Sequence, residues 1–307
     1  MTVHDLNTSA ADPQVASATP AKGAKYPKTR RIKFGFADGD GRPDPMSHYF
    51  VEGDMVHSHF VAGLSGGFPP GEEAFIRSVR RYADQITEPT LKKRVAGFIG
   101  QEAMHGREHR RLNEKLVEMG YRIAWLEPTE KRLELQIRFE DWLPSALPLA
   151  GTAAAEHFTA VLAERLLSSP ELQALPGDPE VWNLLNWHAL EELEHKSVAF
   201  DVYRAIGGSE RTRIAVMAAI LVGIAPLVTI SLGVAIAQDP IARRKAVTVA
   251  RQTYKLFRGP MFKGLFRELA VYLKPGFHPD DIDTNGLLER WQRELFGADG
   301  VLVDHVK

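Results

Sequence analysis

The stretch WHALEELEH, residues 187–195, decides the fold because it places two histidines and a glutamate on one stripe of a helix. His188, Glu192 and His195 are separated by four and three residues, the spacings that bring side chains to one helical face. This stripe therefore predicts a helix whose polar residues face the protein interior. Apolar side chains continue the stripe on both sides: Leu185, Ala199 and Val202.

A second stretch, FIGQEAMHGREH at residues 98–109, contains the same motif of a glutamate followed three residues later by a histidine. Glu102 and His105 form this copy, and apolar residues flank it on its own stripe. A chain of this composition contains about one such match by chance, so a single copy says little. Two copies on inward-facing stripes indicate a shared function.

Two further glutamates extend the pattern to four helices. Glu72 shares its stripe with apolar residues, whereas the neighbouring Glu73 shares its own with charged residues, so periodicity selects Glu72. Glu156 lies in line with alanines and a leucine. Glu102 follows Glu72 by 30 residues and Glu192 follows Glu156 by 36, which indicates an internal repeat of a helix pair.

Buried carboxylates and imidazoles in this number require a compensating charge, which a pair of metal ions supplies. The alternative is that they are hydrogen-bonded core histidines and surface glutamates. A carboxylate-rich set with imidazoles favours iron, with manganese as the alternative, over structural zinc. The predicted ligands of two metal ions are Glu72, Glu102, His105, Glu156, Glu192 and His195.

Two more histidines lie one helical turn from predicted ligands. His188 is either a seventh ligand, over the metal that His195 binds, or a residue that orients a ligand. His109, one turn after His105, is predicted to support a ligand through a hydrogen bond rather than to bind metal itself. These two residues therefore extend the predicted site beyond the six ligands.

Helical periodicity dominates residues 69–208, and nothing there alternates with the period of a strand. The predicted class is all-α, with a ferritin-like four-helix bundle as the architecture. The segment EKRLELQIRFEDW is predicted to form an additional helix between the second and third long helices. His57 and His59 are expected in a glycine-containing loop before the first helix. The long helices are predicted near residues 71–88, 90–120, 149–169 and 178–208.

Composition divides the chain into three parts. Residues 1–30 are small and polar, lack the apolar run of a secretory signal, and are predicted to be a mobile tail. Residues 31–208 are predicted to form the bundle and residues 209–307 a helical extension. Within this extension, residues 214–237 are 24 consecutive positions without a charge. They are long enough to cross a membrane, to dip into one as a hairpin kinked at Pro226, or to form a buried core or dimer helix.

Charge and cysteine content exclude several classes of function. Lys plus Arg number 38 and Asp plus Glu number 39, so the net charge of −1 gives no electrostatic case for nucleic acid. The sequence has no cysteine, which excludes disulfides, thiolate metal sites and iron–sulfur clusters.

Because a metal pair needs metal and reductant, we expect a cytoplasmic protein attached to the inner face of the cytoplasmic membrane through residues 214–237.

Three strings resemble a bacterial family described as predicted metal-dependent hydrolases: FPPGEEAFIRSVRRYAD, FIGQEAMHGREHRRLNEKL and LEELEHKSVAFDVY. Residues 71–208 also resemble the ferritin-like di-iron carboxylate superfamily, and this resemblance implies the same four glutamates and two histidines as ligands. The spacing of His188, Glu192 and His195 is similar to that of aryl-amine N-oxygenases, whose di-iron centre carries one extra histidine.

Three functions are compatible with such a centre. The leading interpretation is a di-iron oxidoreductase that activates dioxygen and oxidises a hydrophobic small molecule, using an electron donor that the sequence does not identify. The second is a hydrolase that uses a metal-activated water. The third is iron storage or detoxification, which the long C-terminal extension argues against. The small residues of GTAAAEH, residues 151–157, either leave room for oxygen or substrate or allow close helix packing.

Overall fold

The computed structural model describes residues 26–36, 45–144 and 146–307, and its regular structure is helical. Residues 1–25 of the predicted tail lie outside the described residues. The all-α class is confirmed, since β-type pairing within the described residues is confined to two isolated bridges. The α-helices are α1 (Met55–Arg80), α2 (Pro89–Glu118), α3 (Glu130–Trp142), α4 (Ala146–Ser168), α5 (Pro170–Gln173), α6 (Pro179–His195), α7 (Val198–Ala205), α8 (Glu210–Gln238), α9 (Ala246–Arg258), α10 (Leu265–Leu269) and α11 (Asn285–Phe296).

Helix α1 begins 16 residues before the predicted start at Gly71, so that prediction was wrong. Asp54 caps α1 by accepting a hydrogen bond from the backbone N–H of His57 at 2.9 Å. Pro69 and Pro70, just before the predicted start, lie inside α1. Pro69 has no N–H for the carbonyl of Ser65, and the side chain of Asn113 on α2 donates to that carbonyl at 3.0 Å instead.

This earlier start also corrects the position of two histidines. His57 and His59 were expected in a loop, but both lie in the first turns of α1. His59 is buried there, with its Nε2 atom 2.8 Å from Oδ2 of Asp239. Its role is therefore to fix α1 to the segment that follows α8.

Helices α2, α3 and α4 lie close to their predicted positions. Glu88 caps α2 by accepting from the backbone N–H of Thr90 at 2.8 Å. Gly120 follows α2 with a φ of 96°, a left-handed conformation that glycine adopts without strain. Pro148 lies in the first turn of α4, where its missing N–H leaves no intrahelical bond unmade.

The predicted fourth helix is interrupted, which corrects its expected continuation to residue 208. Asp178 caps α6 by accepting from the backbone N–H of Glu180 at 3.1 Å. The helix ends at His195, and α7 begins only at Val198. Lys196 at the break donates to the backbone carbonyl of Ile282 at 2.6 Å, so a tertiary contact accompanies the interruption.

Helix α8 is one continuous helix with Pro226 inside it, so the hairpin alternative was wrong. Its length and a mean hydropathy of 2.4 would allow it to cross a membrane, although only 6% of its most apolar stretch is buried. The alternative of a core helix was also wrong, because only three of its 29 residues are buried.

The extension packs back on the long helices. Helices α8 and α9 contact α1, while α10 contacts α4 and α11 contacts α4 and α6. Within the predicted helical extension, residues 241–273 are divided between α9, α10 and short 3-10 turns, with Gly264 at a φ of 82° between α9 and α10. At the other end of the described chain, Arg30, the last residue of the predicted tail, binds Glu191 and Glu194.

Candidate metal centre

Four helices bring all the predicted ligands together in the protein interior. Helix α1 packs along α2, and α4 packs along α6 and α7, so that each inward stripe faces the others. Each of these residues is at most 4% exposed. The residues and their helices are Glu72 on α1, Glu102 and His105 on α2, Glu156 on α4, and His188, Glu192 and His195 on α6.

The donor atoms form two neighbouring groups of three, and a third group, Glu102, His105 and Glu192, overlaps both. Atoms of Glu72, His105 and His188 lie within 4.8 Å of one another, and atoms of Glu102, Glu156 and His195 form the second such group. The carboxylate of Glu192 lies between the groups. Its Oε1 atom is 2.8 Å from Nε2 of His188 and 3.6 Å from Nε2 of His195. This arrangement offers two adjacent sites of three ligands with a shared carboxylate.

Many of these atoms make no hydrogen bond within the part of the chain that the structure describes. They include both carboxylate oxygens of Glu72, Glu102 and Glu156, together with Nδ1 of His105 and Nε2 of His195. Nε2 of His195 lies 3.0 Å from Oε1 of Glu102 and 3.3 Å from Oε2 of Glu156, so the atoms converge. An ionised buried carboxylate without a partner costs several kcal/mol, roughly, in folding free energy. Divalent cations would provide partners for all of them, and the residues therefore fit a metal pair.

In His105 and in His195, one ring nitrogen makes a hydrogen bond, and this bond determines which nitrogen remains free to bind a metal ion. Nδ1 of His195 is 3.1 Å from Oε1 of Gln101, and Nε2 of His105 is 3.1 Å from Oε2 of Glu191. Arg30 donates to the same Glu191 at 2.7 Å. Bonds of this kind fix the ring and leave the opposite nitrogen for a metal ion. The nitrogens left free are the two that face the glutamates.

Sequence reasoning missed Gln101 and Glu191, although a signal was present. Each residue immediately precedes the glutamate of one Glu-x-x-His motif. The two contacts are reciprocal, because Gln101 on α2 holds a histidine of α6 while Glu191 on α6 holds a histidine of α2. A polar residue at the same position of both motif copies could have indicated this exchange.

His188 lies in the group of Glu72 and His105, and not in the group of His195 as expected. The sequence predicted its imidazole over the metal bound by His195, but it lies with Glu72 and His105, and its ring stacks on that of His105 at 4.1 Å between centroids. His109 stands behind it, with its Nε2 atom 2.7 Å from Nδ1 of His188. This contact leaves Nε2 of His188 directed at the carboxylates.

Burial raises the pKa of three glutamates of the centre, whereas for Glu192 the neighbouring His195 and His188 outweigh burial and hold the pKa well below its ordinary value. Burial raises the pKa of Glu102 to about 8, and the carboxylate of Glu156 adds to this effect. Burial likewise raises the pKa of Glu156 to about 7. For Glu72, burial and then the neighbouring Glu102 hold the pKa well above its ordinary value. Bound cations would oppose these shifts, so metal binding is expected to displace protons from the site.

An apolar cavity of about 110 Å³ adjoins the centre. His188 and Glu192 form part of its wall, and the hydroxyl of Thr159 in that wall donates to Glu192. The residues of GTAAAEH do not line this cavity, and Ala153 and Ala154 are buried in the core, as the close-packing alternative expects. Apart from His57, the remaining wall is apolar and includes Phe60, Leu64, Phe68, Leu162, Leu166 and Leu256.

Three other histidines lie outside this centre. His57 lies beside Glu52 and Asp54, but Asp54 caps α1 and Glu52 pairs with Lys255 at 2.8 Å. His157 packs against the ring of Tyr272 at 5.1 Å between centroids. His278 is bonded through Nε2 to Asp201 at 2.8 Å.

Comparison with known proteins identifies one family. Neither the curated proteins nor the solved structures contain a significant match to this chain. The model of a family described as "Predicted metal-dependent hydrolase" matches residues 28–283, which include every residue of the candidate centre. The chain belongs to this family of predicted metal-dependent hydrolases.

Proposed function

We propose that the protein is a hydrolase that uses two metal ions to cleave an apolar small molecule. The observation that carries this proposal is the pair of three-residue groups that share Glu192 and adjoin an apolar cavity. Membership of the family supports hydrolysis as the reaction type. A bound metal pair supplies a water of lowered pKa and polarises the group that is cleaved. The proposed ligands are Glu72, Glu102, His105, Glu156, His188, Glu192 and His195.

The surrounding residues have distinct roles in this proposal. Gln101 and Glu191 orient the two imidazoles, while His109 does the same for His188. Thr159 donates to Glu192 and so fixes the shared carboxylate from the side of the cavity. The apolar wall holds the hydrocarbon part of the substrate and excludes bulk water from the cleaved bond.

Metal reconstitution tests the hydrolase proposal. Metal-free protein is loaded separately with Mn(II), Zn(II) or Fe(II) and assayed anaerobically with 4-nitrophenyl esters of increasing chain length. We expect at least one metal to restore hydrolysis and Glu192→Ala to abolish it. Glu73→Ala is the matched control, because Glu73 lies next to Glu72 on α1 but binds Arg110 outside the centre. Absence of metal-dependent hydrolysis of every ester would contradict the proposal.

A second candidate is a di-iron oxidoreductase that activates dioxygen. The composition of the ligand set favours it, since four glutamates with three histidines form a harder, more oxygen-rich shell than hydrolytic zinc sites use. The resemblance to the ferritin-like di-iron carboxylate superfamily and to the aryl-amine N-oxygenases supports the same chemistry. This function would require an external electron donor as a partner.

Rapid mixing separates the two candidates. Protein loaded anaerobically with Fe(II) is mixed with oxygenated buffer while its absorption spectrum and oxygen consumption are recorded. Fast oxygen uptake that requires Glu102 and His188 would favour the oxidoreductase. Oxygen uptake no faster than that of the Fe(II)-loaded Glu102→Ala variant, together with ester hydrolysis, would favour the hydrolase.

A further inference from the structure

Helix α8 carries an apolar surface that the rest of the chain leaves uncovered. Residues 214–237 hold no charge, and Met217 and Leu232 are the two that are buried among them. Leu227 and Ile230, near the middle of the helix, are 60% and 65% exposed. A contiguous apolar surface of this length marks an interaction site.

Both ends of α8 are fixed to the body of the protein. Arg213 is fully buried and donates to the backbone carbonyl of Lys274 at 2.9 Å. Asp239, directly after the helix, accepts from the hydroxyl of Tyr49 at 2.9 Å and from Nε2 of His59 at 2.8 Å. A helix that is anchored at both ends on one body cannot place those ends on opposite sides of a bilayer. Helix α8 is therefore suited to lie along a surface and not to cross a membrane.

The segment after α8 is strongly basic. Residues 240–267 contain eight lysines and arginines and no acidic residue, and all eight basic side chains are exposed. Helix α9 of this segment lies beside α8, because Leu256 and Leu232 pack into one cluster around Val56. An apolar helical face flanked by lysine and arginine is the pattern that binds the interface of an anionic bilayer.

The charge argues against a second copy of the chain as the occupant. A symmetric dimer formed through α8 would bring the basic segment of one protomer close to the same segment of its partner. The repulsion between these like charges would oppose association, whereas the phosphates of anionic lipids would neutralise them. Charge complementarity therefore favours a lipid surface.

We propose that α8 and the basic residues 240–267 form a docking surface for a bilayer that contains anionic phospholipid, with α8 lying in the membrane interface. Leu256 and Met261 of the basic segment also line the apolar cavity beside the candidate metal centre. A molecule dissolved in the bilayer would thus reach the cavity from the side of the protein that lies on the membrane. That last step alone rests on the proposed function, and the docking itself does not.

Vesicle sedimentation tests the docking surface. The full-length chain is incubated with phosphatidylcholine vesicles or with vesicles in which about one third of the lipid is phosphatidylglycerol, and bound protein is measured in the pellet. We expect strong binding to the anionic vesicles that weakens with salt. Arg243→Gln, Arg244→Gln and Lys245→Gln together should lower the partition coefficient by about a hundredfold. Leu227→Glu with Ile230→Glu should abolish binding.

An exposed leucine elsewhere provides the matched control. Leu135 on α3 is 57% exposed, similar to Leu227, so Leu135→Glu adds the same charge to a different surface and should leave vesicle binding unchanged. Light scattering without lipid gives the oligomeric state of each variant. Failure of the wild-type protein to bind either type of vesicle would overturn the proposal. So would a wild-type dimer that Leu227→Glu converts to a monomer, since a second copy would then cover α8.

Discussion

Oε1 of Gln101 lies 3.1 Å from Nδ1 of His195, and this contact joins the two copies of the Glu-x-x-His motif across the helical interior. The reverse contact, from Glu191 to His105, has the same length of 3.1 Å. Each motif thus supplies one residue that orients the histidine of the other motif. The two halves of the centre are consequently expected to depend on each other for metal affinity.

Removal of one orienting residue should weaken metal binding without removing a ligand. In Gln101→Met the acceptor of His195 is lost while the side-chain volume is nearly kept, and we expect metal affinity to fall about tenfold to a hundredfold. Calorimetric titration with Mn(II) or Fe(II) measures this change. Gln136→Met, which removes an amide on α3 that bonds to Glu140 outside the centre, should bind metal as wild type does. Equal affinity in both variants would contradict the orienting role.

Removal of the carboxylate of Glu102 or of Glu192 should lower the number of metal ions that each chain binds. We predict that Glu102→Ala and Glu192→Ala retain fewer than two metal ions per chain, because each substitution deletes a donor close to both groups. Elemental analysis after gel filtration gives the metal content. Glu73→Ala should keep the wild-type content. Two metal ions per chain in both Glu102→Ala and Glu192→Ala would show that the assignment of the ligands is wrong.

His188 should be required for metal binding at one of the two sites. Since its Nε2 atom lies with Glu72 and His105, His188→Ala is expected to lose the metal of that group while the group containing His195 keeps its own. Metal content should fall toward one ion per chain, with a smaller effect on thermal stability. The absorption spectrum of the Co(II)-loaded protein provides an independent check. An unchanged spectrum and two bound ions would identify His188 as a residue that only supports a ligand.

Periodicity was sufficient to identify the interior face of each long helix. It selected Glu72 over Glu73, and the structure places Glu72 in the interior at 2% exposure while Glu73 binds Arg110. It succeeded because burial of an apolar stripe is a property of a single helix and needs no knowledge of its neighbours. Helix class and stripe orientation are therefore local features of this sequence.

Features that depend on distant contacts could not be predicted in this way. The start of α1 was missed because the pair Pro69 and Pro70 normally ends or begins a helix, and the compensating donor, Asn113, comes from α2. The break after His195 was missed for a similar reason, since the partner of Lys196 lies 86 residues away. In each case the deciding hydrogen bond joins residues that only the folded chain brings together.

The apolar cavity should determine the size of substrate that the protein accepts. Ala163 lines the cavity, and Ala163→Leu would fill part of it, so we expect a raised KM for the longer esters with unchanged metal content. Overpacking costs about 1–3 kcal/mol of stability, and Ala160→Leu on the same helix is the matched control because Ala160 does not line this cavity. The same KM in the two variants for every chain length would argue against substrate binding there.

Asp239 should make the anchorage of α8 sensitive to acid. Its Oδ1 atom accepts from the backbone N–H groups of Ile241 and Ala242 at 2.7 and 2.9 Å, and its Oδ2 atom accepts from His59 and Tyr49. Burial alone would raise the pKa of Asp239, but these hydrogen bonds, beginning with that of Ala242, lower it from 3.8 to about 2. The folded protein therefore binds this proton more weakly than the unfolded chain does.

This difference fixes the sign of the pH dependence. The stabilising contribution of Asp239 is fully present above its ordinary pKa of 3.8 and is lost as the pH falls through about 2. Asp239→Asn keeps an acceptor for the backbone N–H groups but does not titrate, so near neutral pH it should be less stable than wild type by about 2 kcal/mol. Urea unfolding at a series of pH values should show this gap closing between about pH 4 and pH 2. A gap that stays constant down to the acid limit would mean that the charge of Asp239 does not contribute to holding α8 against α1.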